Sequence, residues 1–170
     1  MNFNSRKEIQ ASYLRTFVFG VEDSLASTVG LLSGVAAAGS PRETIILTGV
    51  VLIFVEAVSM SAGSFLSESS ADDYLGDSQT RASRPVREAA IMFGAYVLSG
   101  FIPLSPYLFV PGPDAFSHSL ALSAVALALL GAASATLSRS SPVKSTLRML
   151  IIGGIAIAVG ILVGSFLATY

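Results

Sequence analysis

The sequence predicts an all-α integral membrane protein with five transmembrane helices, assembled as a two-fold dimer. Of its 170 residues, 52% are hydrophobic and only 12% charged, against about 25% charged in soluble domains, and the mean hydropathy is +0.71. The apolar residues fall into five runs separated by short breaks, each long enough at ~1.5 Å per residue to cross a ~30 Å hydrocarbon layer. Nine of the ten basic residues then collect on one side of a five-span chain: Arg6, Lys7, Arg15, Arg81, Arg84, Arg87, Arg139, Lys144 and Arg148, with Arg42 alone opposite. One span more or fewer would scatter them. By the positive-inside rule the N-terminus is cytoplasmic and the C-terminus outside or lumenal.

The first span runs from Phe17 to Ala38, preceded by a polar, amphipathic stretch expected to lie at the surface as a short helix. Arg6 and Lys7 ahead of an apolar run look like a signal peptide, but this run is too long and holds Glu22 and Asp23, so it reads as a permanent helix. Gly39, Ser40 and Pro41 break it, and the second span, about 44–66, returns antiparallel. The polar stretch from Ser67 to Pro85 is too short for a domain. A third span, about 86–110, contains Pro103 and Pro106 and is expected to kink or end early. The fourth, about 118–137, and the fifth, about 147–170, complete one transporter-like domain covering 1–170. No repeat of 20 to 50 residues is present. Zero cysteines and a single histidine, His118, exclude thiolate zinc sites, iron–sulfur clusters and histidine cages. Nucleic-acid binding has no support.

The acids inside the apolar runs carry the functional reading. An ionised carboxylate near the bilayer centre costs roughly 2.5 to 3.5 kcal/mol, so such residues face protein or a water-filled path. Glu22 and Asp23 are adjacent and point about 100° apart, so both cannot face one narrow seam. Asp23 is the choice for the path. Asp23, Ser27, Gly30 and Gly34 share a helical face, and Gly30 with Gly34 forms the small-xxx-small pattern expected at a dimer seam. On the second span Glu56, Met60, Gly63 and Ser67 share a face, offering a hard oxygen and a soft sulfur to a transition metal. Antiparallel pairing places Met60 near the level of Asp23 and Glu56 about one turn deeper.

Asp23, Glu56 and Met60 are therefore the candidate metal ligands. First-row divalent ions commonly take about six ligands, so one copy supplies too few and a symmetric dimer doubles the set. Glu68, Asp72, Asp73 and Glu88 are the candidate cytosolic entrance. The competing readings are packing filler for Met60, interhelical hydrogen bonding for the buried acids, and a solvated helix face for the acids after Ser67.

Gly20-Val21-Glu22-Asp23-Ser24-Leu25-Ala26-Ser27-Thr28 and Ala57-Val58-Ser59-Met60-Ser61-Ala62-Gly63 resemble the first two helices of the vacuolar iron transporter family. The resemblance continues through Gly100-Phe101-Ile102-Pro103-Leu104-Ser105-Pro106-Tyr107 and the start of the last helix around Arg148. It implies a homodimeric five-helix exporter of ferrous iron, often manganese, from the cytosol in exchange for protons, with Asp23, Glu56 and Met60 on the translocation path. The implied cargo is Fe2+ or Mn2+ with protons as counter-ion and no resident cofactor. The implied partners are the lipid bilayer and a second copy, with no enzymatic activity; the membrane expected is the cell membrane rather than a vacuolar one. Two departures stand out. Ser24 occupies a position where many members have glycine, and Ser64 one where many have an acid or methionine. Plant-like members also insert a glutamate-rich metal-binding domain between the second and third helices, where this chain has only Ser67 to Pro85. An uncoupled cation channel and a non-transporting scaffold subunit remain open as alternatives.

Overall fold

A computed structural model of the chain describes residues 3–75, 83–138 and 140–169. Asp77, Arg81, Arg139 and Tyr170 lie outside the described residues. Five helices follow one another, α1 (Phe3–Ala37), α2 (Arg42–Leu75), α3 (Ser83–Phe109), α4 (Asp114–Ser138) and α5 (Pro142–Leu167), with no strand among the described residues. Four of them, α2 to α5, are long and apolar enough to cross a membrane. The sequence anticipates five such spans; α1 stands apart because Glu22, Asp23 and several serines dilute its apolar run.

The least apolar helix is also the most enclosed. α1 packs against all four other helices, whereas α2 touches only α1 and α3. Leu25, Val29 and Leu32 of α1 are fully buried, and so are its Ser24 and Thr28. Outward faces carry exposed Leu47, Val51 and Val58 on α2, Leu129 on α4 and Leu162 on α5, the surface expected toward lipid tails.

Tight turns join the first helices. Gly39 adopts φ 74°, a left-handed conformation open to glycine. The amide of Gly39 donates to the Ala36 carbonyl at 2.9 Å and that of Ser40 to Val35 at 3.3 Å, a Schellman closure that turns the chain directly into α2. Arg42 then donates from Nε to the Tyr107 carbonyl at 2.6 Å and from Nη2 to Leu108 at 2.9 Å. The one basic residue at that end of the bundle among the described residues thus caps the C-terminus of α3, where the helix dipole favours a cation.

Three expectations are corrected. The residues before Phe17 form no separate surface helix, because nothing between Tyr13 and Phe17 breaks the helix and Ser12 and Thr16 are buried. α3 does not end at its prolines. Pro106 withdraws the donor that Ile102 would have received, and the Ser105 hydroxyl supplies one at 2.8 Å, while the Pro103 carbonyl accepts from Ser119 of α4 at 2.7 Å. Lastly, Gly30 and Gly34 make their close contacts inside the chain, against α5. A Cβ on Gly30 would stand 2.9 Å from the Ala156 carbonyl oxygen and one on Gly34 2.6 Å from that of Gly160, and Gly160 and Gly164 meet the Gly30 and Gly34 carbonyls in return. The glycines of α5 were in plain sight in the sequence, but spacing alone cannot say which helix a small-residue face meets.

Candidate functional site

Glu22 and Asp23 part company as their helical offset requires. Glu22 lines a polar pocket of about 290 Å³ with Ser134, Ser141, Lys144, Ser145 and Arg148 at the α4–α5 turn. Its charge is opposed there by Arg148. Asp23 turns to the other side, where it feels the charge of Glu56 on α2.

A third helix ties these two together. Tyr96 of α3 is fully buried, and its hydroxyl donates to Glu56 Oε2 at 2.9 Å while standing 2.7 Å from Ser27 Oγ. Ser27 lies one turn beyond Asp23 on the same face, so Glu56 sits a turn deeper than Asp23. Ser24 donates to the Tyr96 carbonyl at 2.7 Å and holds α1 against α3. That crossing is tight, since a Cβ on Gly100 would meet Ser24 Oγ at 2.9 Å and Ile53. Nothing in the sequence singled out Tyr96. A hydroxyl within an apolar stretch, among Ala95, Val97 and Leu98, was the available signal.

Met60 lines a cavity of about 460 Å³ together with Ser64, Glu68, Glu88, Met92, Arg15 and Thr16. Neither Asp23 nor Glu56 lines it. The structure therefore joins Met60 to two of the entrance acids and brings in Met92, a second thioether that the sequence reading passed over.

The entrance acids are not a solvated face. Glu68, Asp72 and Glu88 are 8%, 3% and 2% exposed, whereas Asp73 is exposed. They close around Arg84, which pairs with Glu68 and stands 3.7 Å from Asp72 Oδ1 and 3.7 Å from Glu88 Oε1. Thr16 of α1 donates to Glu88 Oε2 at 2.8 Å. Three carboxylates face this one guanidinium, and Arg15, which lines the same cavity, is a second cation acting on Glu68. Asp72 Oδ2, Glu88 Oε1 and Arg84 Nε lack hydrogen-bond partners among the described residues. This cluster lies beyond the apolar part of α2, which ends near Leu66. There, burial and the neighbouring Glu88 push the Glu68 carboxyl above its usual range, with Arg84 pulling against them.

Among the described residues no group of three or more His, Cys, Asp or Glu is placed to hold a metal ion. One chain thus offers two acids on facing helices, Asp23 and Glu56, a thioether-lined cavity that neither of them lines, and a buried acidic cluster at that cavity's end.

Comparison with known proteins places these features. The family model described as the VIT family matches residues 14–83 and 75–165, two pieces that meet in the α2–α3 connection. The chain is 31% identical over 161 residues to vacuolar iron transporter homolog 3 of Arabidopsis thaliana, covering 88% of this chain and 80% of that protein. It is 29% identical over 167 residues to vacuolar iron transporter homolog 5 of Oryza sativa subsp. japonica, covering 91% and 79%. Vacuolar iron transporter 1 of Tulipa gesneriana is 23% identical over 205 residues, covering 85% and 83%. That alignment is longer than this chain, so the tulip protein carries inserted residues. Matched over nearly its whole length by the family model, and covering four-fifths of a relative at 31% identity, the chain belongs to the VIT family.

Proposed function

We propose that this protein carries ferrous iron, with manganese as a second cargo, out of the cytosol in exchange for protons, and that it works as a homodimer of five-span protomers. The observation that carries the reading is the meeting of three helices at Glu56, where the Tyr96 hydroxyl holds Oε2 and also reaches Ser27, one turn from Asp23 on α1. Acids on two facing helices within otherwise apolar runs are costly to keep there for packing alone. The names of the plant relatives support the choice of iron.

α1 is the fifth span on this reading. Packed against by all four other helices, it carries Glu22 and Asp23 half-buried, which eases the usual objection to such a polar span. The basic Arg15, Arg84, Arg87, Lys144 and Arg148 share one end of the bundle, so that end faces the cytosol and the acidic cluster at Glu68, Asp72 and Glu88 meets incoming metal first. Met60 and Met92 then offer soft sulfur beside those carboxylates, which favours transition metals over calcium. A second copy completes a ligand set that one chain leaves short.

Exchange follows from competition. Metal and protons seek the same carboxylate oxygens of Asp23 and Glu56, so a divalent ion arriving from the cytosol displaces protons, and its release into an acidic compartment lets them rebind. No energy source beyond the gradient is needed. The test is metal uptake into proteoliposomes with and without an imposed pH gradient. Acceleration by the gradient is the expected result. Gradient-independent flux would make the protein a channel, and no flux would make it a scaffold.

A further inference from the structure

The Tyr96 side chain is anchored more firmly than packing requires. It is fully buried, its own carbonyl accepts from Ser24 at 2.7 Å, and its hydroxyl lies between Ser27 Oγ at 2.7 Å and Glu56 Oε2 at 2.9 Å. Three helices therefore fix where that hydroxyl sits. Among the described residues the hydrogen bond to Glu56 goes to Oε2, and Oε1 receives none. One carboxylate oxygen is occupied and the other is free.

We infer that Tyr96 is a positioning residue that sets metal specificity: by hydrogen-bonding Oε2 it weakens that oxygen as a ligand and orients Glu56 to lead with Oε1, and so disfavours calcium against manganese and ferrous iron. The inference deepens the transport reading above and rests on it. Calcium takes 6 to 8 oxygen ligands and commonly gains them by gripping a carboxylate through both oxygens, whereas first-row ions are satisfied by about six ligands including softer ones. To hold calcium through both oxygens, Glu56 must share Oε2 between the ion and the Tyr96 hydroxyl or turn away from that hydroxyl, and either weakens the second metal–oxygen contact. Compensation from neighbours is scarce. α2 is packed only against α1 and α3, and from these helices the titratable groups that act near Glu56 are Asp23 and Tyr96 itself. Ser27 matters because it engages the phenol from the opposite side and keeps it aimed at Oε2.

The test is calcium inhibition of manganese uptake by the full-length protein in liposomes, expressed as the ratio of the calcium and manganese concentrations giving half-effect. This ratio does not depend on how much active protein a vesicle holds. Tyr96→Phe keeps the ring and removes the hydroxyl, and it should make calcium about tenfold more effective relative to manganese, the worth of one hydrogen bond to a charged group. Ser27→Ala is carried alongside because it leaves Tyr96 whole, and it should move the ratio the same way by less. A role confined to packing would depress uptake of both ions and leave the ratio where it was. Equal ratios in the parent and both variants overturn the inference while leaving the transporter intact. A parent that moves no manganese overturns the transport reading and this role of Tyr96 with it.

Discussion

Gly34 of α1 lies so close to Gly160 of α5 that a Cβ built on it would stand 2.6 Å from the Gly160 carbonyl oxygen. The obstacle is backbone, which cannot swing aside as a side chain would. Gly34→Ala should therefore cost about 1 to 3 kcal/mol, the range for forced overpacking, and should appear as a lower melting temperature in detergent whether or not the protein is dimeric. Gly94→Ala is the control. Its Cβ would meet nothing within 4 Å, so stability should hold or rise slightly. Equal melting temperatures for the two variants would remove the α1–α5 seam from the account.

Arg84 offers a second test, because it is the cation set among Glu68, Asp72 and Glu88. The folded protein holds the Glu68 proton more tightly than the unfolded chain does, so this group favours folding below the usual carboxylate range and loses that contribution as pH rises through its folded value. Arg84 opposes the shift. Arg84→Gln should therefore destabilise the protein by about 3 kcal/mol at neutral pH, as expected when one partner of a buried ion pair is removed, and by clearly less near pH 5. Thermal unfolding at the two pH values decides it, and an equal loss at both would refute the electrostatic role.

How much of this was readable beforehand depends on how far each signal reaches along the chain. The five helices follow from apolar runs and from Gly39, Pro41, Pro85 and Pro113, all local features. The divergence of Glu22 and Asp23 follows from helical geometry alone. What stayed hidden depends on which faces meet. Gly30 and Gly34 announce a close contact without naming α5 as its partner. Glu68 and Asp72 look like solvated acids until α3 brings Arg84 and Glu88 against them. Tyr96 lies 40 residues from Glu56 and 69 from Ser27, so no spacing rule connects them.

Topology can be tested independently of transport. With Arg15, Arg84, Arg87, Lys144 and Arg148 at one end of the bundle and Arg42 engaged with the end of α3, the charge asymmetry is built into the fold. Reporter fusions should place Met1 and the α2–α3 connection in the cytoplasm and Tyr170 on the opposite side. A cytoplasmic Tyr170 would require an even number of spans and would leave α1 as a membrane-associated helix.

The decisive prediction concerns the acid pair. Asp23→Asn and Glu56→Gln keep the shape of each side chain while removing the charge that competes for metal and protons. Glu56→Gln also retains a side-chain oxygen able to accept from Tyr96, so the three-helix contact survives. Each variant should elute from size exclusion as the parent does yet lose gradient-driven iron uptake by at least about a hundredfold, the scale on which a membrane acid that binds the transported ion is felt. Met60→Leu should behave differently. It removes the sulfur without touching a charge, so uptake should persist while the preference for iron and manganese over calcium narrows. Should both amide variants exchange iron for protons at the parent rate, Asp23 and Glu56 are structural hydrogen-bonding groups and the path runs elsewhere in the bundle.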